Sequence, residues 1–208
     1  TLSKEFAWTE TDYANIVVVF QLCYALGLLG AGRLIDKLGT KIGYAIATAL
    51  WSVAAVAHAL ATSTFGFMLA RGALGVTEAG NFPAAIKTVA EWFPKKERAL
   101  ATGIFNSGSN IGAIIAPLTV PFIAKEWGWQ WAFIITGAIG FIWLIFFFLL
   151  YEVPKKHKKL SQPEFDYIHS DVDEKVEDNT VAPKLSWRKL LSYKQTWAFA
   201  IGKFLTDP

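Results

Sequence analysis

The sequence predicts an all-α protein that crosses a membrane several times, and three observations carry that reading. Hydrophobic residues make up 53% of the chain and aromatic residues 15%, more than a water-soluble domain normally carries. The apolar residues gather in five runs, at 14–35, 44–62, 65–90, 99–123 and 131–151, and a sixth begins near residue 196. A helix needs about 20 mostly apolar residues to cross the hydrocarbon, and the five runs meet that length. None alternates apolar with polar residues, as the strands of a membrane barrel would.

The first run places Gln21 and Tyr24 three residues apart and so on one helix face. A phenol there can pack and donate a hydrogen bond, whereas Gln21 suits a ligand site and an ordinary interhelical contact equally well. The third run holds Arg71 and Glu78. An ionisable group at mid-membrane is unfavourable by several kcal/mol unless it faces a partner, a bundle interior or water. Seven residues are nearly two helical turns, so both side chains project from one face, which must border an internal polar cavity. The rise between them is roughly 10 Å, too far for a tight mutual ion pair, so each needs another partner.

The fourth run clusters Asn106, Ser107, Ser109 and Asn110 among Gly103, Gly108 and Gly112. The glycines suit close helix approach. The amides and hydroxyls exceed that need, and facing Arg71 they would suit a small ligand with one carboxylate and several hydroxyls, since guanidinium grips carboxylate through two parallel hydrogen bonds. Before the fifth run, Trp127, Trp129 and Trp131 resemble an interfacial aromatic belt.

Between 152 and 194 the composition turns to Lys, Glu, Asp, Pro and Ser, which marks a connector between two membrane bundles, 1–151 and the start of another at 195–208. Within it Ser161 and Glu164 form a capping-box pattern, with Pro163 tolerated in the first turn, so a short surface helix carrying Phe165 and Ile168 is expected. Residues 186–191, SWRKLL, suit an amphipathic turn against headgroups.

Connector charges set the orientation, because cytoplasmic loops collect Lys and Arg. Lys37 and Lys41, then Lys95, Lys96 and Arg98, then Lys155, Lys156, Lys158 and Lys159 all fall on one side; the opposite connectors, 61–64 and 124–131, offer only Lys125. Residue 1 is therefore expected outside and 152–194 in the cytoplasm. A chain that starts outside at Thr1, without an initiator Met, is expected to follow an earlier span.

Other chemistry finds little support. Cys23 is the only cysteine, and His58, His157 and His169 are scattered without metal-ligand spacing, so no metal and no cofactor is expected. There is no phosphate-binding GxxxxGK[ST] loop. The net charge of +3 lies in loops facing anionic lipid, which leaves nucleic acid unneeded as a partner. A membrane enzyme would need a nucleophile, base or metal cluster near one interface, and the runs offer none.

The stretch GRLIDKLGTKIG, residues 32–43, resembles the signature loop of the major facilitator superfamily: Gly32, Leu34, Asp36, Lys37, Gly39 and Lys41 match it, while Thr40 replaces a usual basic residue. ARGALGVTEAGNFPA and EWFPKKERALATGIFNSGS narrow the resemblance to its anion:cation symporters, most similar to hexuronate transporters. The resemblance implies two six-helix halves around a midplane site in a bacterial inner membrane, with this chain supplying helices two to six and the start of seven. It further implies that Arg71 anchors the substrate carboxylate, Glu78 couples a proton and Tyr24 touches substrate. The residue reading adds Gln21, Asn106, Ser109 and Asn110 as hydroxyl contacts. Gly32, Asp36, Lys37, Gly39 and Lys41 would form a gate, with Glu91 or Arg98 as partners of Asp36 across the helix ends. Ala116, Pro117, Leu118 and Thr119 depart from the glycine-rich helix-five motif of drug antiporters, which favours symport. The expected function is proton-coupled import of a sugar acid by a monomer. A carrier of galactonate, glucarate or a non-sugar carboxylate, or a sensor that does not transport, are the alternatives.

Overall fold

The structure, a computed structural model, describes residues 2–170 and 187–206, and among these every regular element is helical. It comprises two compact units, 1–171 and 172–208. The first holds α1 (Leu2–Glu5), α2 (Glu10–Leu38), α3 (Thr40–Ala57), α4 (Thr64–Glu78), α5 (Asn81–Trp92), α6 (Arg98–Trp127), α7 (Trp129–Leu150) and α8 (Gln162–Ile168). In the second lie α9 (Trp187–Leu191) and α10 (Lys194–Thr206), so the expected amphipathic turn is helical from Trp187, residue 186 being outside the described residues.

Local chemistry sets the boundaries. α2 opens on a capping box in which Thr9 Oγ1 accepts from the Asp12 N–H at 3.1 Å and an Asp12 carboxylate oxygen accepts from the Thr9 N–H at 3.0 Å, satisfying two otherwise orphaned donors. It ends at Gly39, whose φ of +80° suits glycine alone, and α3 starts at the next residue. Gly128, at φ +94°, makes the same kind of one-residue corner between α6 and α7. The pattern at Ser161 behaves differently: α8 forms there with Pro163 in its first turn, but Ser161 makes no side-chain cap bond. Pro163 has no N–H to give, and Phe165 N–H bonds the Ser161 carbonyl instead.

Among the described residues four helices are long and apolar enough to cross a membrane: α2, α3 with the 3₁₀ turn that extends it to Leu60, α6 and α7. The third apolar run, expected as one span over 65–90, is two helices. α4 has 15 residues and α5 has 12, and neither alone reaches across the hydrocarbon. The junction is a kink: Ala79 and Gly80 keep right-handed helical angles and the Ala79 N–H still bonds Gly75 O at 3.2 Å, but the Gly80 N–H turns to Thr77 O at 3.4 Å, and Pro83 contributes no donor.

Small residues set the packing. A Cβ added at Gly75 on α4 would stand 2.6 Å from Phe20 O and 3.0 Å from Tyr24 N on α2; one at Gly27 would stand 2.8 Å from Ala79 Cβ. α2 and α4 thus cross backbone to backbone. α3 and α7 do likewise, with Gly137 against Ser52 O and Val56, and Gly140 against the Ser52 hydroxyl. Two clusters close the ends. Ile16, Ala61 and Phe67 collect Phe6, Trp8, Trp129 and Phe133 at one, and Ala45, Leu144 and Phe147 collect Tyr44 and Tyr151 at the other. α6 packs on α7 and α5 and otherwise presents Ile104, Ile111, Ile114 and Leu118 outward. The close approach expected at Gly108 and Gly112 is not made within the described residues, since an added Cβ there would meet nothing within 4 Å.

Candidate functional site

Arg71 and Glu78 line one cavity of about 720 Å³. Its walls come from α3 (Trp51, Ala55) and the 3₁₀ turn after it (His58), α4 (Arg71, Leu74, Glu78), the end of α6 (Val120, Pro121) and the start of α7 (Phe133, Thr136), with Glu5 of α1 also on its lining. Arg71, Leu74 and Glu78 recur at helical spacing on α4, so a single face of that helix forms the wall, as the seven-residue spacing requires. Neither Arg71 nor Glu78 has an ion-pair or hydrogen-bond partner among the described residues, although each lies in the other's electrostatic field. A guanidinium and a carboxyl without such partners thus sit in mostly apolar walls, where charge-assisted hydrogen bonds are strong.

His58 is fully buried on the same lining. Its Nδ1 lies 2.8 Å from Ala54 O, so that nitrogen carries the hydrogen and donates, and the ring stacks on Phe133 with centroids 4.9 Å apart. The sequence marked it only as a scattered histidine.

The other expected ligand contacts are placed differently. Tyr24 is half-buried on α2, stacked on Phe20 at 5.9 Å and within the field of Glu78, but it is not on the cavity lining. Gln21, Asn106, Ser109 and Asn110 are exposed and likewise off that lining. The structure therefore brings Arg71 and Glu78 together and leaves the amide and hydroxyl group apart from them.

The charged residues of the helix ends meet where α2, α3, α5 and α7 converge. Asp36 does not pair with Arg98 or Glu91, as expected; Lys87 of α5 holds it, Nζ to Oδ1 at 2.7 Å. Arg98 instead caps the end of α5, donating from Nε to Phe93 O at 3.0 Å and from Nη2 to Ala90 O at 2.9 Å. Its guanidinium satisfies carbonyls that α5 would leave open. Glu91 accepts from the Thr40 hydroxyl at 2.5 Å and from the Tyr151 hydroxyl at 3.1 Å. Burial, with the charge of Glu91 beside it, pushes the Tyr151 hydroxyl well above its ordinary pKa.

Lys41 bonds Glu152 at 2.9 Å, and that hydrogen bond, with one from the Val153 N–H, holds the Glu152 carboxyl below the usual carboxylate range. Gly32 and Lys37 stand on the last turns of α2, and Gly39 forms the corner. Lys87, Tyr151 and Glu152 carry no motif mark in the sequence, and Thr40 stands there only as a departure from the signature loop. For Lys87 a signal existed, because it lies four residues before Glu91 and so on the same helix face.

The family model of the Major Facilitator Superfamily matches residues 1–206. Over 208 residues the chain is 41% identical to the hexuronate transporter of Escherichia coli K12, covering all of this chain and 48% of that protein. It is 38% identical to the galacturonate transporter of Dickeya chrysanthemi, covering all of this chain and 60% of that protein. Among solved structures it resembles a bacterial homologue of the human lysosomal transporter Spinster, inward-facing and occupied, with a TM-score of 0.62 and 23% identity over 74% of this chain and 39% of that one. That likeness speaks to the fold alone. The chain spans about half the length of the curated relatives it matches.

Proposed function

The chain belongs to the Major Facilitator Superfamily, and from that premise we propose that it is the N-terminal half of a symporter that imports a hexuronate-like sugar acid together with a proton by alternating access. The observation that carries this reading is the pair Arg71 and Glu78, free of protein partners on one cavity wall. The names of the relatives support the ligand class, a small organic anion. Arg71 offers a planar fork to a carboxylate. Glu78 takes up and releases the proton. A carboxylate on Arg71 shares the guanidinium's field, so anion binding and protonation of Glu78 favour one another. Rocking of the bundle then carries both across, and the pairs Asp36–Lys87, Thr40–Glu91 and Lys41–Glu152 hold one gate.

In this reading Tyr24, Gln21, Asn106, Ser109 and Asn110 face the ligand only once the second half of the protein closes on this one. Residue 1 lies outside a bacterial inner membrane and 152–194 is the cytoplasmic linker. The protein works as a monomer in lipid, with no cofactor and no enzymatic step. The decisive experiment uses full-length protein in vesicles with labelled glucuronate or galacturonate. An acidic exterior should drive accumulation above equilibrium, and a protonophore should abolish it. Equal uptake with and without the gradient overturns proton coupling, and absence of uptake overturns the ligand class.

A further inference from the structure

Just beyond α7, residues 153–160 carry Lys155, Lys156, Lys158 and Lys159 and no acidic residue. The chain folds there into a hollow of about 330 Å³ lined by Pro154, Lys155, His157, Leu160, Gln162 and Phe165. Its walls are held from behind. Pro154 is buried, the His157 ring meets the Trp92 ring edge-on at 5.3 Å, and Phe165 stacks on His169 at 4.1 Å. Of the neighbouring carboxylates, Glu152 is paired with Lys41, Asp166 accepts from the Gln162 amide at 2.8 Å and Glu97 accepts from the Tyr167 hydroxyl, while Glu164, in the first turn of α8, has no bond among the described residues. Lys155, Lys158 and Lys159 have no ion-pair partner among the described residues. Lys96 lies over the Tyr167 ring at 4.5 Å and ties the loop before α6 to the helix that carries Phe165.

We propose that this hollow binds a phosphate group, supplied by the headgroup of an anionic lipid such as phosphatidylglycerol. Phosphate is the shared chemistry of a headgroup and of free phosphate, and two features favour the lipid. The hollow opens within a few residues of the end of an apolar crossing helix, at headgroup level. Half of its lining, Pro154, Leu160 and Phe165, is apolar and suits glycerol and the first methylenes of an acyl chain rather than a bare ion. This site is separate from the Arg71 cavity and does not depend on the transport reading.

The test measures phosphatidylglycerol retained by full-length protein purified from mixed phosphatidylcholine and phosphatidylglycerol bilayers, by native mass spectrometry. Lys155→Gln, which removes the one lysine on the lining and with it a direct charge-assisted bond to the phosphate, should lower retention by about tenfold or more. Lys158→Gln makes the same charge change off the lining and should lower it far less. Leu160→Trp, which fills the hollow at constant charge, should match the Lys155 variant. A second arm titrates inorganic phosphate into protein in pure phosphatidylcholine and follows thermal unfolding. Stabilisation lost in Lys155→Gln would assign the site to free phosphate. Equal retention in Lys155→Gln and Lys158→Gln, or full retention in Leu160→Trp, overturns the proposal.

Discussion

Lys87 Nζ lies 2.7 Å from Asp36 Oδ1, so a charge on α5 fastens the end of α2 across 51 residues of sequence. The two side chains are 29% and 68% exposed, which keeps the pair in the range of surface ion pairs, at most about 1 kcal/mol. A bond of that size breaks readily, which suits the gate proposed above.

Asp36→Asn and Lys87→Gln should therefore each slow uptake while leaving ligand affinity and unfolding temperature nearly unchanged, and the double variant should be no slower than the worse single one. Initial rates in vesicles, with binding measured in parallel, form the double-mutant cycle. Strictly additive slowing would mean that the two residues act separately.

Arg71→Lys should weaken sugar-acid binding by more than about tenfold although the charge is kept, because a point ammonium cannot reproduce two parallel bonds to a carboxylate. Calorimetric titration with glucuronate measures this. Unchanged affinity in a folded variant would remove Arg71 from the ligand site.

Glu78→Gln keeps size and hydrogen bonding and removes titration. Exchange of labelled for unlabelled ligand across a vesicle should persist, since that half-cycle need not release a proton, while accumulation driven by an acidic exterior should vanish. Gradient-driven accumulation at wild-type level would place the coupling carboxylate elsewhere.

Gly75→Ala should destabilise the protein by about 1–3 kcal/mol, because its Cβ would press on the Phe20 and Tyr24 backbone, which cannot rotate away. Gly30→Ala is the comparison: nothing lies within 4 Å of its Cβ, and helix propensity makes it neutral or mildly favourable. Equal unfolding temperatures for the two would contradict the close crossing of α2 and α4.

The Glu152 carboxyl, held low by Lys41, contributes stability that is complete above the usual carboxylate range and is lost as the pH falls through its depressed folded value. Wild type should thus lose more of its unfolding temperature on acidification than Glu152→Gln. Parallel pH profiles for the two proteins would show that the bond adds nothing in solution.

The helical class, the spacing of Arg71 and Glu78 on one wall and the convergence of basic connectors at one end were legible because each follows from period, length or charge along the chain. The division of the third run was not. Hydropathy continues straight through Ala79 and Gly80, and the only local signal was Gly80 followed by Pro83, a weak one inside an apolar stretch. The partner of Asp36 was hidden for another reason. Ion pairs between elements depend on which helices are neighbours, and Lys87 reads locally as one charge at the end of an apolar segment. The Thr9 and Asp12 cap, by contrast, was spelled out as T-E-T-D and went unread. The polar face at Asn106, Ser109 and Asn110 cannot be given a partner by spacing, since its neighbours are not on its own helix.

Ala79 and Gly80, both right-handed helical, place a kink between helical stretches of 15 and 12 residues. An unbroken helix over that stretch would be a stiff lever of roughly 40 Å at 1.5 Å per residue, returning any tilt at one end as a sweep at the other. Here Arg71 rides on one arm, Lys87 and Glu91 ride on the other, and Glu78 is the last residue before the joint. In the transport cycle proposed above, a movement at Arg71 would reach Lys87 and Glu91 only through this kink.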